Sequence, residues 1–99
     1  IHDCFPGIEL IGGTTDGEIS SVLGFQQDSL VLMVFAATED IEIRAGIGQG
    51  VGADAAIATH QAVTQALAKS QLAPQLCLTF PESLTGSSVA ILQGLKQAL

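Results

Sequence analysis

Nine consecutive residues, GGTTDGEIS from Gly12 to Ser20, gather glycines, hydroxyls and two carboxylates behind the apolar run Ile8-Glu9-Leu10-Ile11. A strand ending in such a stretch presents backbone N–H groups, hydroxyls and carboxylates together at a sheet edge, as polar-ligand sites do. There Asp16 and Glu18 offer carboxylates, Thr14 and Thr15 offer hydroxyls, and Gly17 lies between the two acids. A Gly-rich turn carrying a solvated acid has the same composition. Glu9, Asp16 and Glu18 are likewise either a carboxylate cluster or three solvated acids.

A second concentration of small residues lies at Gly46, Gly48, Gly50 and Gly52, ahead of Asp54. Gly48, Gly50 and Ala53 match the GxGxxA variant of the dinucleotide fingerprint. That motif works within a parallel βαβ unit with an acid at the end of the next strand. The preceding strand here reads as half of an antiparallel hairpin, and Glu82 comes too late. Free N–H groups at the following helix N-terminus, beside Asp54, would still receive a carboxylate or phosphate. His60 is a possible metal or haem ligand, but it falls on the apolar stripe of that helix, the setting of a hydrogen-bonded core histidine. No GxSxG elbow is present, and neither His2 nor His60 lies near a nucleophile, so no catalytic constellation emerges and the domain reads as non-enzymatic. Cys4 and Cys77 lack zinc-ligand spacing; Cys77 reads as a buried, inert thiol and Cys4 as exposed.

These residues need elements to position them. Ile8–Ile11 reads as a first strand, and Gly24–Asp28 as a turn. Ser29–Ala37 reads as a central strand apolar on both faces. Ala37–Asp40 reads as a hairpin connection into a strand whose Ile41, Ile43, Ala45 and Ile47 share one face, opposite Glu42 and Arg44. A helix follows, capped by Asp54, with Ala56, Ile57, His60, Val63 and Leu67 on one stripe and Lys69 in its last turn. Ala73-Pro74 breaks it, Gln75–Phe80 forms a strand reached by a crossover, and Pro81 ends that strand. Ser83–Ser88 supplies capping residues for a last helix presenting Ile91, Leu92, Leu95 and Leu99. The result is an α/β fold: a mixed β-sheet of about four strands with two helices, in the order β-β-β-α-β-α, part of a larger domain.

Composition narrows the function. Of 99 residues 47% are hydrophobic and only 13% charged, as in a globular domain with an aliphatic core. Ten acids against Arg44, Lys69 and Lys96 give a net charge of −7, and Trp and Tyr are absent, which argues against a nucleic-acid partner. The longest apolar run, Leu30–Ala37, falls short of the roughly 18 to 20 residues of a membrane span. No membrane insertion is therefore expected, and Cys4 and Cys77 together fit a reducing cytoplasm.

PGIELIGGTTDGEISSVLGFQQDSLVL, then GIGQGVGADA, then LCLTFPESLTGSSVAILQGL together resemble the FIST N-terminal domain, a bacterial intracellular sensory module. Its most specific element is matched by Gly12, Thr14, Thr15, Gly17, Glu18 and Ile19. Gly13 stands where the family often has Cys, Thr14 where Ser is common and Asp16 where a small residue is usual. The resemblance implies a signal-input domain that binds a small metabolite such as an amino acid. It would be linked to histidine kinase, diguanylate cyclase or chemotaxis outputs. It also implies that residues 1–99 are one fragment of such a domain. For some members it implies haem-dependent nitric oxide sensing, for which His60 is the residue to consider. The ligand-site expectation is accordingly Thr14, Thr15, Gly17 and Glu18 with Gly48, Gly50 and Asp54. The alternative is a structural role in which bare strand edges pair in a homodimer.

Overall fold

An alanine-rich stretch without Pro or Gly follows Asp54, and a shorter, aliphatic one that includes Gly94 follows Ser87; each of these two residues can cap a helix locally. The computed structural model of the protein describes residues 3–36, 38–82, 84 and 86–99. Its helices are α1, Ala55–Leu67, and α2, Ser88–Ala98. Asp54 is extended, and its carboxylate accepts the Ile57 N–H at 3.0 Å. The Ser87 hydroxyl accepts the Ala90 N–H at 3.4 Å. Of the expected Ser83–Ser88 capping stretch, Ser83 and Thr85 lie outside the described residues. Lys96 lies in the last turn of α2, where a cation complements the helix dipole. Lys69 lies past the end of α1, which stops at Leu67.

The two helices pack against each other around Val63, Ile91 and Leu95, with Val51, Ala55, Leu67 and Ala98 at the margin. They come close at Gly94, where an added Cβ would stand 2.2 Å from Thr59 Oγ1. The Thr59 hydroxyl turns back onto its own helix, shared between the Ala55 and Ala56 carbonyls at 2.7 and 3.0 Å, so its burial leaves no unpaired polar atom. The expected stripe on α1 is therefore rotated by about one residue, roughly 100°. Ala58, Thr59 and Val63 are buried, whereas Ile57 is 57% exposed and His60 is exposed. Close backbone approach selects small side chains over large apolar ones on the packed face. On α2 Ile91 and Leu95 are buried as expected, while Leu92 and Leu99 face outward.

The glycine run explains the small face of α1. A Cβ on Gly48 would meet the Ala58 carbonyl oxygen at 1.8 Å, and one on Gly46 the Ala62 carbonyl oxygen at 2.0 Å. The extended chain at 46–48 thus lies directly on the α1 backbone. Two extended residues advance about 6.6 Å and one helical turn of four residues about 6 Å, so the two repeats run in step.

The sheet differs from the expectation. It is one antiparallel hairpin, β1 (Glu18–Ser20) with β2 (Gly24–Gln26), pairing Glu18 with Gln26, Ile19 with Phe25 and Ser20 with Gly24. β1 falls inside the stretch expected to be a loop, and β2 inside the patch expected to be a turn. Among the described residues the segments expected as strands, Ile8–Ile11, Ser29–Ala36, Ile41–Ile47 and Gln75–Phe80, carry no ladder, so neither the four-stranded sheet nor the crossover is present among them. Ala37, the end of the expected central strand, lies outside the described residues. In place of the expected Ala37–Asp40 hairpin connection, the described residues show a reverse turn over Thr38–Ile41, with the Ile41 N–H on the Thr38 carbonyl at 3.0 Å and no paired strands beside it.

The physical reason is that period-two patterning sorts side chains to faces but names no partner for the backbone. Several backbone and hydroxyl donors here meet side chains instead. The Ala45 N–H donates to Glu9 Oε2, and the Ile47 N–H to Gln65 Oε1 at 2.8 Å. Glu42 Oε2 accepts from the Ser70 hydroxyl at 2.8 Å and the Gln71 N–H at 3.1 Å. Cys77, expected to be buried, is exposed along with its neighbours Leu76 and Leu78; Cys4 is exposed too, and both thiols are free. No helix among the described residues is long and apolar enough to cross a membrane.

Candidate functional site

β1 and β2 fix Glu18 through the ladder, and its carboxylate is then held from two sides. The Thr15 hydroxyl donates to Oε1 and the Ser29 hydroxyl to Oε2, each at 2.5 Å. The Ser29 hydroxyl, followed by that of Thr15, holds the Glu18 carboxyl below its ordinary pKa, because both donors stabilise the charged form. Glu18 is thus an oriented, ionised carboxylate. Behind it, Gly17 sits under the Phe25 ring, which a Cβ would strike at 2.3 Å, so the glycine makes room for packing within the hairpin.

An open groove of about 330 Å³ runs beside this carboxylate. Its polar lining includes Glu18, Ser20, Gln26 and Ser29, and its apolar wall is Leu23 with Leu30, Val31 and Leu32. The hairpin orders its own polar groups: the Leu23 N–H donates to Ser20 Oγ at 3.0 Å, and Gln26 Nε2 to the Leu23 carbonyl at 3.1 Å. A carboxylate at the edge of a small aliphatic trough can receive a cationic nitrogen and cover a hydrocarbon body.

The expected site residues fall into two groups. Thr15, Gly17 and Glu18 are together in the hairpin, with Thr14 exposed next to them. Gly48, Gly50 and Asp54 precede α1 and do not line the Glu18 groove. Gly48 is taken up by the contact with Ala58. Gly50 has φ +74, a conformation that suits glycine, and its carbonyl accepts the Ala53 and Asp54 N–H groups at 2.9 and 3.1 Å. Asp54 uses its carboxylate to cap α1, which places negative charge where an anionic ligand end was expected. Ser29, Leu23 and Leu30 were not anticipated as site residues. Ser29 lies 11 positions beyond Glu18, and no local spacing links them.

His60 is exposed on α1, its Nδ1 3.4 Å from the Thr64 hydroxyl, and lines a second open groove of about 440 Å³ between α1 and α2. Ile57 is the one large apolar side chain of that lining, beside Gln61 and Gln97. A haem requires an apolar slot that encloses its faces, and these residues do not fit one. Among the described residues no group of three or more His, Cys, Asp or Glu could hold a metal ion.

The structure is a small mixed α/β unit with an oriented carboxylate beside an aliphatic groove. The family model described as FIST N domain matches residues 1–99, and the chain belongs to that family, one of sensory modules in signal transduction. No match was found among curated proteins or among solved structures.

Proposed function

We propose that this chain is the signal-input part of a bacterial, cytoplasmic signalling protein, binding a small ammonium-bearing metabolite, such as an amino acid, in the Glu18 groove. The observation that carries this reading is the Glu18 carboxylate, fixed by the Thr15 and Ser29 hydroxyls at the edge of the Leu23 and Leu30 trough. Family membership supports the sensory role. Thr14, Gly17 and the hairpin backbone complete the site, and occupancy would pass to a histidine kinase, diguanylate cyclase or chemotaxis output. Gly48, Gly50 and Asp54 then serve this function by setting α1 and its flanking chain.

Isothermal titration of the full-length protein with a panel of amino acids and amines, unmodified and as Glu18→Ala, tests the reading. Binding of at least one ammonium compound, lost in the variant while the melting curve remains cooperative, is the expected result. Binding that ignores Glu18, or no binding across the panel, refutes it. A structural, dimer-forming role is the second reading, favoured by the consecutive exposure of Leu30 to Phe35, with Leu30 and Val34 at 78% and 79%. Under that reading the full-length protein sediments as a dimer that Leu30→Ser and Val34→Ser together dissociate.

A further inference from the structure

Resting on the reading of the Glu18 groove as the ligand site, we propose that its ligand is a primary amine with an aliphatic body and no carboxylate. A zwitterionic amino acid brings a carboxylate within a few ångströms of its ammonium, and that group needs a cation or free N–H donors. The described lining of the groove offers one acid and no base. Of the three bases in the chain, Arg44 stands 3.7 Å from Glu42, Lys69 lies past α1, and Lys96 belongs to the last turn of α2.

Several neutral donors at the groove are already engaged within the hairpin. The Ser29 hydroxyl donates to Glu18, Gln26 Nε2 to the Leu23 carbonyl and the Leu23 N–H to Ser20. The N-terminus of α1, the other place for an anionic end, carries the Asp54 carboxylate and lines no part of this groove. An α-carboxylate bound beside Glu18 would therefore meet a like charge with no cation in the described lining to offset it.

An ammonium meets the opposite situation. It has three N–H donors and no acceptor, and the two hydroxyls on Glu18 are neutral, so they leave its negative charge unmet. The aliphatic part of the ligand would cover Leu23, Leu30 and Leu32, which are 69%, 78% and 59% exposed. The small volume, about 330 Å³, suits a short alkyl chain and not a polyamine with several separated charges, for which no second carboxylate lines the groove.

Three probes of matched shape decide the matter: 3-methylbutylamine, leucine, which adds an α-carboxylate to the same body, and 3-methylbutan-1-ol, which removes the charge. Titrated to millimolar concentration into the full-length protein, the amine is expected to bind at least about tenfold more tightly than either other probe, the scale of one charge-assisted hydrogen bond. Glu18→Gln is expected to erase that preference, and Leu30→Ser to weaken the amine while leaving it ahead of the alcohol. Leucine binding as tightly as the amine, in a Glu18-dependent way, overturns the inference while the ammonium site stands. Equal binding of amine and alcohol, or no binding of the amine, also overturns it. The contrast between probes is read on the unmodified protein, so it decides the question whether or not Glu18→Gln folds.

Discussion

Gly48→Ala is the sharpest test of how the glycine run is used. In the structure a Cβ at this position would stand 1.8 Å from the Ala58 carbonyl oxygen, 2.6 Å from its carbon and 3.1 Å from Ala58 Cα. All three are backbone atoms inside α1, so no rotamer change relieves the clash; the extended segment must lift off the helix by more than an ångström. Lifting it stretches the Ile47 N–H bond to Gln65. It also opens the contact between Gly46 and Ala62. Overpacking of this kind costs about 1–3 kcal/mol, and a contact with an immovable helix backbone belongs at the upper end. For a domain near 100 residues, a loss of about 2–3 kcal/mol lowers Tm by roughly 10–20 °C. Helical circular dichroism followed through thermal and urea unfolding measures it. Gly12→Ala is the control: nothing lies within 4 Å of a Cβ there, and a surface change of this kind stays within about 0.5 kcal/mol. If Gly48→Ala is as mild as Gly12→Ala, the segment is not seated on α1 and the account of the glycine run is wrong.

Two further outcomes follow from single bonds. Asp54→Ala removes the acceptor of the Ile57 N–H and is expected to cost about 1 kcal/mol by denaturant titration, with Asp54→Asn or Asp54→Ser recovering most of it; an unchanged midpoint would contradict the cap. Glu18 has a folded-state pKa below its unfolded one, so the stability it contributes is present above the unfolded pKa and lost as pH falls through the folded pKa. Thermal melts across the acid range should accordingly show a shallower loss of Tm in Glu18→Gln than in the unmodified protein, and equal slopes would contradict the two hydroxyl donors.

The sequence makes local bonds legible and long ones invisible. Asp54 and Ser87 each reach an N–H three residues ahead, and a capping residue before an alanine-rich or aliphatic run signals this directly. The β1–β2 hairpin was not foreseen because its turn, closed by Gly24 at φ +65, carries no Asn-Gly or Asp-Gly signal. Hydrophobicity alone places Ile57 and His60 inward on α1, whereas the helix is packed on two sides by glycine-bearing backbone and needs Ala58 and Thr59 there. The expected strands failed for a related reason. Alternation at Ile41–Ile47 tells which residues share a face, but the partner of Ile47 proved to be a glutamine on α1, 18 positions away.

The acids show the same limit and also the way past it. Composition treats ten acids as solvated charge, yet Glu9, Glu18, Glu42 and Asp54 each accept a backbone or hydroxyl donor. Accepting hydrogen bonds therefore does not by itself distinguish a ligand carboxylate from a brace. Counter-charge does. Glu42 is tied to Ser70 and Gln71, has its pKa lowered by the Ser70 hydroxyl first, and has Arg44 at 3.7 Å as its cation, so its charge is met within the fold. Asp54 faces the positive end of α1. Glu18 is held as firmly, but its side-chain partners are two neutral hydroxyls, and the space beyond them is the groove. A carboxylate kept ionised and oriented without a cation is open to receive one from outside. That difference from Glu42, more than the composition of the loop, is what makes Glu18 the residue on which ligand recognition is expected to depend.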